Sequence, residues 1–223
     1  LKIHSGDLPV ILQHPESLAI YDKYTSQLSL WNLSFEKFMA SKSIGMTNRE
    51  VQGATLLKIH HTTAKIMAGV RPDMTDLGAA VNGVNAEEFL GYSNDFQIII
   101  NLSRPLVAAA EQDAKNGKPP LTFSSDLGLI GPLYYACINC PTASIRTSAM
   151  ELLSRCPRRE GMWNSVLIAQ MIQQYWDLEA RHKEAQEMGL EMDEFGLPVP
   201  FTDGGSVHFE FFGRPTEINT TGV

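Results

Sequence analysis

Pro132-Leu-Tyr-Tyr-Ala-Cys-Ile-Asn-Cys-Pro-Thr-Ala-Ser-Ile-Arg-Thr-Ser-Ala-Met-Glu-Leu-Leu-Ser-Arg-Cys-Pro-Arg-Arg-Glu-Gly-Met-Trp163 is the most informative stretch of the chain. Pro132 suits the first turn of a short helix running to Cys140, where the NH that proline lacks would have no intrahelical acceptor. Pro141-Thr142 breaks that helix and caps the next, Ala143 to Arg155, which packs through Ile145, Ala149, Leu152 and Leu153. Pro157 ends it. The segment therefore reads as a helical hairpin that leads into a last long helix, from about Arg159 to Met188, stopped by Gly189. Glu160 would sit at a helix N-terminus, where the dipole favours negative charge. Arg146, Arg158 and Arg159 are expected to pair with carboxylates such as Glu151 or Glu179, pinning the hairpin, or with a partner.

Working outward, the helical period persists. Leu18, Tyr21, Leu28, Trp31, Phe35 and Phe38 predict a first helix from about Pro15 to Ala40 that buries an aromatic stripe. Thr47 with Glu50 three residues later is a capping box, so a second helix should start there and run to about Gly69. After an irregular connector containing Gly78, Gly83 and Asn85, a third helix is expected from about Ala86 to Ala114. Its core candidates are Phe89, Phe96, Ile99, Ile100, Leu102, Leu106 and Val107. Asn116-Gly117-Lys118-Pro119-Pro120 cannot continue it, and a flexible loop is expected over 112–126. On the last helix, Trp163, Leu167, Met171, Tyr175 and Leu178 form one row and Ile168, Ile172, Trp176 and Ala180 another, which predicts partners on more than one side. Period two appears only in Val207, Phe209 and Phe211, within an extended C-terminal segment expected over 189–223. The fold class expected is all-α: one multi-helix bundle over 1–223 with helical hairpins.

Composition bounds what such a bundle can do. The 223 residues are 43% hydrophobic and 19% charged, against about 25% charged for an average soluble chain. That excludes a disordered tail. No apolar run approaches the roughly 18 residues of a membrane helix, so no membrane association is expected. The net charge of −7 would repel polyphosphate, which argues against DNA binding by these residues alone. Cys137, Cys140 and Cys156 are too few and too clustered for a secreted disulfide framework, which points to a reducing compartment. The chain starts at Leu1 with no charged-then-apolar leader, and it reads as a part of a longer protein. Sequons at Asn32 and Asn101 fall inside predicted helices and carry no weight.

Candidate chemistry is sparse. Cys137 and Cys140 have CxxC spacing, but a structural zinc site wants four ligands and no second pair exists, so both thiols are expected to be small buried residues. His60 and His61 are paired, yet neighbours on a helix point about 100° apart and cannot grip one ion; one is expected inside and one outside. No nucleophile elbow, P-loop, dinucleotide fingerprint or HExxH occurs, so no catalytic residue and no metal ligand is assigned and the chain reads as a non-enzyme. If the bundle encloses an effector pocket, its walls would be Trp31, Phe35, His60, His61, Trp163 or Trp176. Trp163 is expected to be buried where the hairpin meets the bundle.

The segment resembles the C-terminal regulatory region of fungal binuclear zinc cluster (Zn2Cys6) transcription factors. There a Pro-Leu-Tyr/Phe-Tyr helix leads to a Cys, then to Ile-Arg with a following Ala-x-x-Leu-Leu, then to Pro-Arg-Arg-Glu-Gly-x-Trp. The matching residues are Pro132, Leu133, Tyr134, Tyr135, Cys140, Ile145, Arg146, Leu152, Leu153, Pro157, Arg158, Arg159, Glu160, Gly161 and Trp163. Trp31 with Phe35, Leu57 to His61, Glu179 and Val207 to Pro215 extend the likeness. The six-cysteine zinc module of that family has no counterpart among these residues. The resemblance thus implies a nuclear, all-helical regulatory domain that works by inhibition, effector sensing, homodimer contacts or coregulator contacts. Zinc and DNA would be held only by a module elsewhere in the parent. Two rival readings are a free-standing helical corepressor or partner protein, and a small-molecule-converting enzyme.

Overall fold

The structure is a computed structural model that describes residues 15–70, 86–117, 128–155 and 157–189. It is all-α: among the described residues there are six helices and one two-stranded hairpin. The helices are α1 (Pro15–Lys42), α2 (Asn48–Gly69), α3 (Ser93–Lys115), α4 (Ile130–Asn139), α5 (Ala143–Arg155) and α6 (Ser165–Glu187). Short 3-10 turns lie at Ser43–Gly45 and Ala86–Tyr92, and the strands are β1 (Arg159–Glu160) and β2 (Trp163–Asn164). The chain divides into two compact units, Leu1–Gln173 and Gln174–Val223. In the second, the described part is the end of α6, followed by Gly189 with φ +67°. The expected loop begins later than 112, since α3 continues to Lys115, and its remainder from residue 118 lies outside the described residues. So do Cys156, the connector glycines Gly78 and Gly83, and the segment with Val207, Phe209 and Phe211.

Local chemistry explains most boundaries. At α2 the Thr47 NH donates to Glu50 Oε2 at 2.7 Å while the Glu50 NH donates to Thr47 Oγ1 at 3.4 Å, the reciprocal pair the sequence announces. The bond from the Thr47 NH, with a second from the Thr47 hydroxyl at 2.7 Å, holds the Glu50 carboxyl below the usual carboxylate range. The third helix departs from expectation, because Ala86–Tyr92 winds as 3-10 and the α-helix begins at Ser93. It then runs through Pro105, an exposed residue that removes one ladder bond.

In the first unit α2 packs on α3, α4 on α5, and α3 on both α4 and α5. Phe96, Ile99, Ile100, Ser103 and Val107 recur at helical spacing and form the buried face of α3. Leu102 and Leu106 are only half-buried. Phe89, Phe96 and Tyr135 meet as a ring cluster with centroids 6.1 to 6.3 Å apart. Each fully buried Phe or Ile contributes about 1.5 to 3 kcal/mol of transfer free energy. Facing α3, α2 buries Ile59, Thr62, Thr63 and Ile66; the two threonine hydroxyls donate back to the carbonyls of Lys58 and Ile59 at 2.8 and 3.0 Å.

The first helix differs from expectation. It packs on α2 through Leu28, Trp31, Asn32 and Phe35, but none of its described side chains is buried. Trp31 is 37% exposed and Phe38 49%. The period located the helix correctly, but the stripe is covered on one side only.

Candidate functional site

The segment that dominates the sequence forms a junction between α4, α5 and α6. The last helix does not begin at Arg159: residues 159–164 form an antiparallel hairpin, with Arg159 opposite Asn164 and Glu160 opposite Trp163. Two features cause this. Gly161 takes φ +57°, as a primed two-residue turn requires at its first central position. Asn164 then caps α6, its Oδ1 accepting from the Val166 and Leu167 amides at 3.0 and 3.3 Å.

Glu160 is the centre of the junction. It is buried, and its two carboxylate oxygens accept from the amides of Leu129 and Ile130, each at 2.9 Å. The expectation of a helix N-terminus was right in kind and wrong in place: the helix is α4, about thirty residues upstream. The charge meets the N-terminal dipole and two amide donors that have no intrahelical acceptor. Gly128 leaves room for it, since a Cβ there would overlap the carboxylate. Arg158 Nη1 lies 3.6 Å from Glu160 Oε1, an ion pair between near neighbours in sequence. The hairpin is tied to α6 by a reciprocal pair: the Arg158 NH donates to Ser165 Oγ and the Ser165 NH to the Arg158 carbonyl, both at 3.0 Å. Arg159 Nε donates to the Gly161 carbonyl at 3.2 Å and stays exposed. Val107, Leu129, Ile130, Leu133, Leu152, Leu153, Arg158 and Ser165 surround a void with room for about one water molecule.

The other motif residues divide between this junction and the core. Trp163 is 37% exposed rather than buried; it tilts against Tyr134 with ring centroids 5.8 Å apart. Pro132 is buried in the first turn of α4. Tyr135 joins the Phe89 and Phe96 cluster, and burial with Tyr92 nearby pushes its hydroxyl up to about 12. Cys137 and Cys140 are buried at the far end of α4; burial pushes Cys137 up to about 12 and raises Cys140 as well. The Cys137 thiol points to the carbonyl of half-buried Arg146 at 3.8 Å. Pro157 is exposed just before β1. Among the described residues no group of three His, Cys, Asp or Glu side chains could hold a metal ion.

Of the residues named for a pocket, Trp31, Phe35 and His61 meet in one stack. Trp31 stacks between Phe35 and His61, with centroids 4.8 and 4.6 Å away, and His61 Nε2 lies 2.9 Å from the Leu28 carbonyl. Both histidines are half-buried, in place of one inside and one outside. His60 Nε2 is buried and has no hydrogen-bond partner among the described residues. Trp176 belongs to the second unit and is half-buried. The two rows on the last helix also separate: Ile168 and Ile172 are buried, while Leu167 and Met171 are more than half exposed.

Sequence reasoning missed Gly128, Asn164 and Ser165. An Asn-Ser pair ahead of Val166, Leu167 and Ile168 is a helix-start signal that could have placed the beginning of α6. It missed as well the forked pair between Arg155 and Glu111, at 2.9 and 2.7 Å, which clasps α5 to α3 and lowers the Glu111 carboxyl.

Over 72 residues, 32% of this chain, the sequence is 36% identical to the aspercryptin biosynthesis cluster-specific transcription regulator atnN of Emericella nidulans. The aligned stretch covers 11% of that regulator. No family model and no solved structure matches the chain. The chain therefore contains a region similar to part of a fungal transcription regulator. Among the described residues no helix is long and apolar enough to cross a membrane.

Proposed function

We propose that this chain is an α-helical regulatory domain of a fungal Zn2Cys6-type transcription factor, acting in the nucleus without catalysing a reaction. The observation that carries the reading is the 36% identity over 72 residues to a fungal cluster-specific regulator. It is supported by the use made of the motif: Glu160 pairs with Arg158 and accepts from the amides at the start of α4, as a scaffold would use it. The net charge of −7 fits a role in which another module contacts DNA. Regulation would then pass through coregulator or homodimer contacts or a small-molecule effector, with zinc held elsewhere in the parent.

The test is a reporter assay in a fungal host. The 223 residues are fused to an unrelated DNA-binding module, and transcription is compared with the module alone. A change in reporter output, of either sign, that disappears in a Glu160→Ala fusion expressed at the same level is the expected result. Output identical to the bare module would overturn the reading. So would tight, sequence-specific DNA binding by the isolated chain in a mobility-shift assay.

A further inference from the structure

The first turn of α4 has no cap of its own. Leu129 stands at the cap position without a side-chain hydrogen bond, and the acceptors for its amide and for that of Ile130 both come from Glu160. Glu160 is carried by a hairpin whose other attachment is the beginning of α6, through the Arg158 and Ser165 pair and the Asn164 cap. Two helix N-termini thus depend on one seven-residue segment, 158–164. We propose that residues 158–164 form a latch that makes the first turns of α4 and α6 open and close as one unit.

The physical reason is the cost of partial release. If the hairpin leaves α4, two amides lose charged acceptors in a site where Leu129 and Ile130 are 3% and 1% exposed. If it leaves α6, the Ser165 hydroxyl, at 1% exposure, loses its donor. Breaking one attachment removes the geometry on which the other depends, so cooperative release is favoured over stepwise release. Gly128 sharpens the coupling, because the carboxylate fits only where no Cβ stands. The outer side of the latch is open to solvent, with Met162 86% and Trp163 37% exposed, so it can be displaced from the surface.

Site-resolved hydrogen exchange on the 223-residue chain tests it. Ser165 touches neither α4 amide, yet Ser165→Ala should speed exchange at Leu129 and Ile130 about tenfold, the size expected for losing one buried hydrogen bond. Gly128→Ala, which evicts the carboxylate from the α4 side, should speed exchange at Val166 and Leu167 by a similar factor. The amides of Ile59 and Thr62 on α2 should not change in either variant. If each variant alters only the helix it touches, the latch is refuted. Should Gly128→Ala not fold, Ser165→Ala decides alone, and unchanged Leu129 and Ile130 exchange in a folded Ser165→Ala protein overturns the proposal.

Discussion

The helix α1 and the helix α3 are of similar length, 28 and 23 residues, and both carry aromatic residues at helical spacing, yet they are held in opposite ways. The buried face of α3 has Phe96, Ile99 and Ile100 at 0% exposure, enclosed by α2, α4 and α5. By contrast α1 buries none of its described side chains and lies on α2 through one stacked seam and a Lys58 bond to Asn32 and Glu36, at 2.6 Å each. Exposed ion pairs are worth little, so the seam depends on its rings. Regions with few buried contacts open at a fraction of the global free energy. The difference teaches that an apolar period shows where a helix is, whereas stability depends on how many sides of it are covered.

The largest effect that could break this contrast is Phe96→Ala, expected to cost about 3 to 5 kcal/mol because a ring at full burial leaves a cavity. Urea midpoint analysis measures it; a cost under about 1 kcal/mol would mean that α3 is no better enclosed than α1. Glu160→Ala should follow at about 3 kcal/mol, since two buried amides lose charged acceptors at once. A smaller loss for Glu160→Gln, which keeps one acceptor, would confirm that the cost comes from those bonds. Trp163→Ala should cost about 1.5 kcal/mol, half of what a fully buried Trp would at least cost, because the residue is already 37% exposed. Trp31→Ala should cost less than about 1 kcal/mol globally while speeding exchange along α1, the signature of a locally opening helix.

The smallest effect concerns pH. Burial raises the Cys137 thiol from 9.0 to about 12, so the folded state favours the protonated form. The sign follows by linkage: the contribution is intact below 9, where the unfolded thiol is also protonated, and is lost as pH rises towards 12. Cys137 and Cys140 should therefore resist iodoacetamide at pH 8 in the folded protein and react once it is unfolded, as read by peptide mass spectrometry.

Much of this is legible in the sequence. The capping box places α2, Pro132 lies in the first turn of α4 and Pro141 follows its end, and Pro141-Thr142 and Pro157 bound the Ala143 to Arg155 helix, because caps and prolines act on their own few neighbours. Glu160 was recognised as a helix-terminus charge. Its partner was assigned to the wrong helix, since nothing in a local pattern specifies a bond to an amide thirty residues away. The burial expected of Trp31, Phe38 and Trp163 failed for the same reason: periodicity shows that a face is apolar and is silent on what covers it.

The sequence by itself determined the all-α class, the positions of most helix ends and the burial of Cys137 and Cys140, all of which follow from propensity, capping and composition. Only the tertiary structure decided that residues 159–164 form a hairpin and not a helix, that its buried carboxylate pins α4, and that α1 stays half-uncovered. Those outcomes depend on groups far apart in sequence meeting in space. Which donors and which apolar faces meet is settled by the packing of the whole first unit.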